Sequence, residues 1–279
     1  MLYLCATPIG NLSDISERVL DTLKSADIIA AEDTRNSIKL LNHFGIKVPL
    51  TSDHEYNKYD KANELIEKMR NGAKVALITD AGTPAISDPG EVITDMCHEA
   101  GIRVTSLPGP CALITALSMS GISARRFVFE GFLPHDNKER RRILKELKDE
   151  TRTVIVYEAP HHLKATLKEL LDELGPRKIA LCRELTKKFE EVRRMNLSTA
   201  AEYYSDHEPK GEYVLVMEGR SLSSLKEERE NDFRRMDILE HMAMYEDQGI
   251  EHKEAMKKVA ADRGVSKRDI YQMLLERSK

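Results

Sequence analysis

The segment Lys74-Val-Ala-Leu-Ile-Thr79, with Asp80-Ala-Gly-Thr-Pro-Ala-Ile-Ser-Asp-Pro-Gly90 directly after it, indicates the fold most clearly. Consecutive apolar residues without polar alternation are typical of a strand that is buried on both faces, as in a parallel sheet. The Gly- and Pro-rich stretch after the strand predicts a long loop. Residues 62–69 show helical spacing before the strand, and a further helix is predicted after the loop as far as Ala100. Because strand and helix alternate, the sequence predicts an α/β fold with a mostly parallel sheet.

The alternation extends over two predicted α/β domains, residues 1–120 and 121–220. Each domain is expected to hold a mostly parallel sheet. In the second domain we predict strands at 126–131, 153–157, 178–183 and 212–218, and helices at 137–149, 161–174 and 198–205. Residues 221–231 combine serines with a charged run and predict a linker.

The last segment, residues 232–279, shows helical patterns throughout. Ile238, Leu239 and Met242 mark the inner face of one helix, a second helix ends at Gly264, and a third begins at Ser266. Helices joined by a short Gly-containing turn predict a helix-turn-helix-like module. The same pattern also fits a small bundle that packs on the main body or on a dimer partner, so both interpretations stay open.

The composition is that of a globular protein, with 41% hydrophobic and 32% charged residues among 279. No apolar run approaches the roughly 18 residues of a membrane span, which excludes an integral membrane protein. Residues 1–5 predict a first strand rather than a signal peptide. The four cysteines form no C-x-x-C pair, so we expect reduced thiols and a cytoplasmic location.

Common nucleotide-binding and metal-binding motifs are absent from the sequence. No G-x-G-x-x-G follows the first strand, and neither a P-loop nor a G-x-S-x-G motif occurs. His54-Glu55 lacks the second histidine of an H-E-x-x-H motif. No metal site is therefore predicted.

Three Gly- and Pro-rich loops follow predicted strands, at Thr7–Asn11, Asp80–Gly90 and Pro108–Ala112. In an open α/β sheet the ligand crevice lies beyond the carboxyl ends of the strands. Loops without bulky side chains present bare backbone N–H and C=O groups there, which suits adenosine or another flat polar ligand. Ordinary tight turns are the alternative explanation for any one of these loops.

Eight motifs occur in an order that resembles a known family. They are Ala6-Thr-Pro-Ile-Gly-Asn-Leu12, Ala31-Glu-Asp-Thr-Arg35, Thr79-Asp-Ala-Gly-Thr-Pro-Ala-Ile-Ser-Asp-Pro-Gly90, Pro108-Gly-Pro110, Gly131-Phe-Leu-Pro134, Tyr157-Glu-Ala-Pro160, Arg183-Glu-Leu-Thr-Lys187 and Lys210-Gly-Glu212. Together they resemble the bacterial small-subunit rRNA methyltransferase I family, ribose 2′-O-methyltransferases for a cytidine of 16S rRNA within the tetrapyrrole-methylase superfamily. The resemblance covers nearly all of residues 2–219. His162 departs from the family pattern, which has an arginine at that position.

The resemblance implies S-adenosylmethionine bound in a cleft between the two α/β domains, and a homodimer. The family's cofactor positions fall on Pro8, Asp80, Ala81, Gly82, Thr83, Ile86, Cys111, Ala112, Tyr157 and Leu185. Backbone carbonyls and an aromatic face are suitable neighbours for a cationic sulfonium.

Two charged groups are candidates for the reaction centre. Glu32 and Asp33 stand with Arg35 at a predicted strand end, and we assign them to the acceptor side as catalytic candidates. A weakly acidic ribose hydroxyl benefits from a base as it attacks, although the existence of a dedicated base stays open. Glu184 with Lys187 and Lys188 forms the second group. Surface ion pairs explain either group equally well.

Basic residues are candidates for contacts with RNA phosphates. Lys187 and Lys188 belong to the second group, and Arg193 follows it. Arg140 and Arg141 lie in the basic run 138–148, and the tail contributes Lys257, Lys258, Lys267 and Arg268. Solvated helix faces are the alternative interpretation. The expected partner is 16S rRNA or the small ribosomal subunit.

Two other functions are also consistent with the sequence. One is carbon methylation of a tetrapyrrole, against which the basic run and the helical tail argue. The other, of a different class, is a ligand-sensing DNA-binding regulator that uses the C-terminal helices.

Overall fold

The computed structural model describes residues 1–52 and 58–277, and its first sheet is entirely parallel. The sheet has the order β3-β2-β4-β1-β5, with β1 Leu2–Cys5, β2 Ile28–Ala31, β3 Leu50–Ser52, β4 Val75–Ile78 and β5 Val104–Leu107. Five α-helices accompany it in this part of the described chain: α1 Glu17–Ser25, α2 Thr34–His43, α3 Lys58–Arg70, α4 Gly90–Glu99 and α5 Ala112–Ser120.

Strand β4 is buried on both faces, as its unbroken apolar sequence predicts. Val75 and Leu77 pack in the core that α3 and α4 cover. Ala76 and Ile78 point the other way, into the core formed with α1 and α2. Alternate side chains of one strand thus supply two separate cores, which is why the segment contains no polar alternation.

The second sheet is mixed. Its order is β6-β7-β10-β8-β9, with β6 Phe127–Phe132, β7 Thr153–Glu158, β8 Lys178–Arg183, β9 Glu191–Asn196 and β10 Tyr213–Met217. The helices of this half are α6 Asn137–Lys148, α7 Pro160–Leu174 and α8 Leu197–Asp206. Of the strands, β6 and β7 are parallel, whereas β10 is antiparallel to both β7 and β8, and β8 is antiparallel to β9.

The α/β class with mostly parallel pairing is confirmed for the two sheets together, because five of the eight pairings in the described chain are parallel. For the second sheet alone, the expectation of mostly parallel strands is wrong. The chain reverses within residues 184–190 to make the β8–β9 hairpin, and β10 inserts antiparallel between β7 and β8. A short reversal needs no helical crossover, so alternation of predicted elements did not reveal it.

The chain divides into two compact units. The first comprises Met1–Leu147 and Arg152–Glu218 and holds both sheets. The second comprises Lys148–Thr151 and the chain from Gly219 onward, with α9 Leu222–Arg235, α10 Ile238–Glu246, α11 His252–Asp262 and α12 Lys267–Arg277. The three predicted C-terminal helices are confirmed as α10, α11 and α12.

The linker predicted at 221–231 is wrong, because these residues belong to helix α9. Ser221 is the N-cap, and its hydroxyl accepts the N–H of Ser224. Along the helix, Glu230 lies within ion-pair distance of Lys226 and of Arg234, one turn to either side. Serine caps and charged i,i+4 pairs are helix signals as well as linker signals.

No helix within the described ranges is long and apolar enough to cross a lipid bilayer. Cys5, Cys97, Cys111 and Cys182 are free thiols, and all but Cys111 are buried.

Candidate functional site

The three Gly- and Pro-rich loops converge on one cavity, as predicted. The volume of this cavity is about 430 Å³. Thr7 and Gly82 exchange backbone hydrogen bonds, with N···O distances of 2.8 and 3.1 Å. The Thr83 hydroxyl donates to the Pro110 carbonyl at 2.9 Å. The loops after β1, β4 and β5 are therefore held to one another, and they form the wall that the first sheet contributes.

Gly82 brings bare backbone to this wall. Its φ of +90° lies in the left-handed region, and a Cβ there would be 3.3 Å from Cγ2 of Ile9. Any residue with a side chain would strain the backbone at this position, and its Cβ would occupy the narrow space between the loop and Ile9.

The loop Thr79–Gly90 also contains two non-glycine residues in the left-handed region, Ala85 at φ +64° and Ser87 at +69°. Such conformations cost free energy and persist only where surrounding contacts enforce them. Here Asp88 does so, because its carboxylate accepts the backbone N–H groups of Ala85, Ile86 and Gly90.

The opposite wall comes from the second sheet. Phe132 of β6, Tyr157 and Glu158 of β7, and Leu185 after β8 line the cavity. The Tyr157 hydroxyl accepts the N–H of Leu113 in the first turn of α5, at 3.1 Å. Burial raises the pKa of Tyr157 to about 12, so the phenol stays protonated at neutral pH.

All of the predicted cofactor residues except Pro8 line this cavity: Asp80, Ala81, Gly82, Thr83, Ile86, Cys111, Ala112, Tyr157 and Leu185. Pro8 instead lines an adjacent depression of about 360 Å³ that shares Thr79 and Asp80 with the cavity. Sequence reasoning missed several lining residues, among them Ile9, Phe132, Glu158 and Glu212. These four lie inside the motifs quoted above, which was the available signal.

The structure separates the three catalytic candidates. Glu32 lines the cavity, and its Oε2 accepts the Thr79 hydroxyl at 2.8 Å. Asp33 is the N-cap of α2, accepts the N–H of Arg35 and pairs with its guanidinium at 2.7 Å. These hydrogen bonds from Arg35 lower the pKa of Asp33 to about 2, which makes it a weak base. The Arg35 side chain is 87% exposed.

Lys187 lines the cavity but is held by carboxylates. Its Nζ lies 3.0 Å from Oε1 of Glu184 and 2.8 Å from Oε2 of Glu212. Glu184 and Thr186, in the same loop, are non-glycine residues with positive φ. Because two carboxylates compensate this ammonium, it does not present an unpaired charge to a phosphate.

Arg140 and Arg193 are also engaged within the protein, unlike the solvent-facing residues that their sequence context predicted. The Arg140 side chain is 14% exposed and binds Glu169 and Thr166. Arg193 pairs with Glu191 at 2.8 Å and stacks on the Tyr203 ring at 4.5 Å. Partners on α7, β9 and α8 bind these guanidinium groups, which local charge density cannot reveal.

The remaining basic candidates are largely at the surface. Arg141, Lys188, Lys257, Lys258 and Arg268 are exposed, and Lys267 is half-buried. Lys257 lies 2.9 Å from Glu254, and Lys258 lies over the Tyr245 ring.

Within residues 1–52 and 58–277, no cluster of three or more His, Cys, Asp or Glu side chains is arranged to hold a metal ion. His54 and Glu55 lie outside the described residues.

Comparison with known proteins gives the family. Residues 1–201 match the family model described as Tetrapyrrole (Corrin/Porphyrin) Methylases. The chain belongs to the tetrapyrrole methylase family. It is a methyltransferase, of a type that uses S-adenosylmethionine as the methyl donor.

Relatives of this tetrapyrrole methylase are similar over nearly its whole length. A Synechocystis protein named "Ribosomal RNA small subunit methyltransferase I" is 43% identical over 277 residues, covering 99% of this chain and 98% of the relative. A Bacillus subtilis protein of the same name is 45% identical over 271 residues, covering 97% of this chain and 92% of the relative.

Solved structures show the shared fold at lower identity. Uroporphyrin-III-C-methyltransferase from Thermus thermophilus matches with a TM-score of 0.55 and 21% identity, over 78% of this chain and 93% of that one. A diphthine synthase matches with a TM-score of 0.60 and 14% identity, over 79% of this chain and 90% of that one.

The cavity of this tetrapyrrole methylase fits the methyl donor. Its volume lies in the roughly 300–1,000 Å³ range of small-molecule sites. Its lining includes residues 81–83 and the aromatic side chain of Tyr157, which are groups of the kind that a nucleoside and a sulfonium bind, and the acidic side chains of Glu32, Asp80 and Glu158.

Proposed function

We propose that this protein transfers the methyl group of S-adenosylmethionine to the 2′-oxygen of a cytidine ribose in 16S rRNA. The observation that carries the proposal is the single cavity in which the residues expected for the donor meet Glu32, a carboxylate suited to an acceptor hydroxyl. The relatives named for small-subunit rRNA, at 43% and 45% identity, supply the substrate class.

The residues around the cavity divide the work. The loop 81–83, Cys111, Ala112 and Tyr157 bind the donor, which supplies a methyl group activated by its sulfonium. Thr79 fixes one oxygen of Glu32, and Glu32 accepts the proton of the 2′-hydroxyl as that oxygen bonds to the methyl carbon and the carbon–sulfur bond breaks. Holding the two reactants in line accounts for much of the acceleration.

We place RNA contacts on the exposed basic residues Arg141, Lys188, Lys257, Lys258 and Arg268, with half-buried Lys267 beside them. The two α/β halves, residues 1–120 and 121–220, act as the two walls of the donor cavity. We further propose that the enzyme works as a homodimer in the cytoplasm, where its ribosomal substrate is found.

Carbon methylation of a tetrapyrrole is not favoured. The solved tetrapyrrole enzymes share only 15–21% identity with this chain, against 43% and 45% for the rRNA-named relatives. A DNA-binding regulator is not favoured either, because the donor cavity belongs to a methyltransferase family.

The test is incubation of the protein with S-adenosylmethionine and small ribosomal subunits from cells that lack this chain. We expect one 2′-O-methylcytidine in 16S rRNA by nuclease digestion and mass spectrometry. A methylated uroporphyrinogen in a parallel reaction, with unmodified rRNA, would contradict the proposal.

A further inference from the structure

Glu158 is a buried carboxylate that the proposed reaction does not use. It is 5% exposed, ends strand β7 and lines the donor cavity. Its Oε1 accepts the N–H of Ala159 at 2.8 Å, and its Oε2 accepts the Thr166 hydroxyl at 2.5 Å. Both donors are neutral, so the carboxylate meets the cavity without a cation bound directly to it in the described chain.

A chain of hydrogen bonds behind Glu158 fixes its orientation. The Thr166 hydroxyl has a single proton, which it gives to Glu158, and its oxygen accepts Nη2 of Arg140 at 2.7 Å. Arg140 is itself held by Glu169, which accepts its Nε at 2.7 Å. Arg140 therefore prevents the hydroxyl from turning away, and Thr166 and Arg140 are positioning residues for Glu158.

Two lone-pair sites of Glu158 remain for a ligand. A carboxylate offers about four acceptor sites, and the two protein donors occupy two of them. A buried charge is costly unless a cation or further hydrogen bonds compensate it. Lys187, the cation that lines the same cavity, is bound by Glu184 and Glu212 instead.

We propose that Glu158 binds the α-ammonium group of the methyl donor. An ammonium is a cation with three N–H donors, so it compensates the buried charge and uses the remaining lone pairs at once. A ribose or a cytosine amino group offers neutral donors only. This inference rests on the proposed function only for the identity of the methyl donor and of its acceptor.

The first experiment measures binding without RNA. Glu158→Gln should weaken S-adenosylhomocysteine, which carries the ammonium, by about tenfold or more in calorimetry, the scale of a charge-assisted hydrogen bond. The same variant should change the affinity for 5′-methylthioadenosine, which lacks the amino-acid part, by less than about twofold. Glu146→Gln, on the exposed face of α6, is the matched control and should change neither affinity.

The second experiment tests the positioning chain. Thr166→Val should weaken S-adenosylhomocysteine selectively, and Thr166→Ser, which keeps the hydroxyl, should restore it. Arg140→Gln should weaken S-adenosylhomocysteine as Thr166→Val does. Arg142→Gln is the control, because Arg142 lies two residues further along the same helix and binds Glu146 at the surface, and it should leave the affinity unchanged.

Three outcomes would overturn the inference. Equal loss of both ligands in a Glu158→Gln protein that stays folded would show that Glu158 does not act on the ammonium group in particular, and unchanged binding of both ligands would show that Glu158 has no role in donor binding. Unchanged donor binding with a raised KM for ribosomal subunits would assign Glu158 to the acceptor. Because the binding assay contains no RNA, its result tests the role of Glu158 whether or not the protein methylates 16S rRNA.

Discussion

Two carboxylates of adjacent residues, Glu32 and Asp33, show how a single position decides a role. Asp33 immediately precedes α2 and is its N-cap, and its carboxylate pairs with Arg35. Glu32 is the last residue before that turn and lines the cavity beside Thr79. The sequence presents both at a strand end, and only the direction in which each side chain leaves the chain distinguishes them.

Replacing Glu32 with Gln should lower kcat about 100-fold or more, the usual contribution of a general base, while donor affinity stays nearly unchanged. Asp33→Asn is the matched control, because asparagine also caps helices, and it should keep nearly full kcat. Single-turnover methylation with saturating donor measures the effect. Equal losses in the two variants would contradict the assignment of the base to Glu32.

Replacing Gly82 with Val should abolish or strongly weaken donor binding, since the left-handed backbone and the contact with Ile9 exclude a side chain. Gly101→Val is a control with φ +66° and no heavy atom within 4 Å of the added Cβ. Both variants should lose stability through backbone strain, of order 1–3 kcal/mol. Calorimetry in which Gly82→Val binds the donor as tightly as Gly101→Val would refute the role of this loop.

Elements with a repeated apolar pattern were predictable, and elements defined by tertiary partners were not. Strand β4 and helix α7 were predicted because β4 is buried on both faces and α7 carries a row of buried leucines. Strand β9, Glu191–Asn196, was missed because it lies at the sheet edge, where four of its six residues are charged or polar. At the site, hydrogen bonds through Thr166 connect Arg140 with Glu158, and no local pattern in the sequence links these three residues.

Helix α10 illustrates the same limit. The stripe of Ile238, Leu239 and Met242 predicts Leu239 on the inner face, but Leu239 is 53% exposed and His241 is fully buried instead. The ring stacks on Phe233, its Nδ1 accepts Nε of Arg263 at 3.0 Å, and its Nε2 lies 3.2 Å from Asp262. A hydrogen bond accepted at Nδ1 fixes the neutral form with the proton on Nε2.

This geometry makes the C-terminal helices sensitive to acid. Desolvation lowers the pKa of His241 below its ordinary 6.5, against the pull of Asp262. The unfolded state therefore binds a proton more readily than the folded state, so the stabilisation is complete above pH 6.5 and is lost as the pH falls towards the folded pKa. Hydrogen exchange of α10 and α11, corrected for intrinsic rates, should show weaker protection at pH 5.5 than at pH 8.

His241→Phe should remove most of that pH dependence while it keeps an aromatic ring against Phe233. His98→Phe, at an exposed position of α4 and outside these helices, serves as the control and should leave the protection of α10 and α11 at both pH values as in the wild type. If the His241→Phe and wild-type profiles have the same slope, other groups cause the acid sensitivity.

At the scale of the whole molecule, charge is distributed unevenly over the chain. Residues 1–120 contain 11 Lys and Arg against 16 Asp and Glu, whereas residues 121–279 contain 32 against 31. The exposed cations Lys257, Lys258 and Arg268 belong to the second group. Such cations raise the affinity for RNA through phosphates and carry little sequence information.

A triple variant, Lys257→Gln with Lys258→Gln and Arg268→Gln, should therefore weaken binding to small subunits and leave the methylated nucleotide unchanged. Each lost phosphate contact should reduce the log–log salt slope by roughly 0.7–0.9. Glutamine at Arg18, Lys24 and Arg103, exposed in the acidic half, is the control with the same change in charge. Identical salt slopes for the two triple variants would show that the C-terminal helices do not contact phosphates.

The central position of β10 in the second sheet determines the order in which the two sheets can form during translation. This strand is the last of the described strands to leave the ribosome, yet β7 and β8 both pair with it and not with each other. The first sheet is complete once β5 emerges at Leu107, about 110 residues earlier. At translation rates of about 5–20 residues per second, the nascent chain spends roughly 5–20 s with one wall of the cavity folded and the other unclosed. A chain arrested before Tyr213 should consequently protect the first sheet from protease and fail to retain S-adenosylhomocysteine.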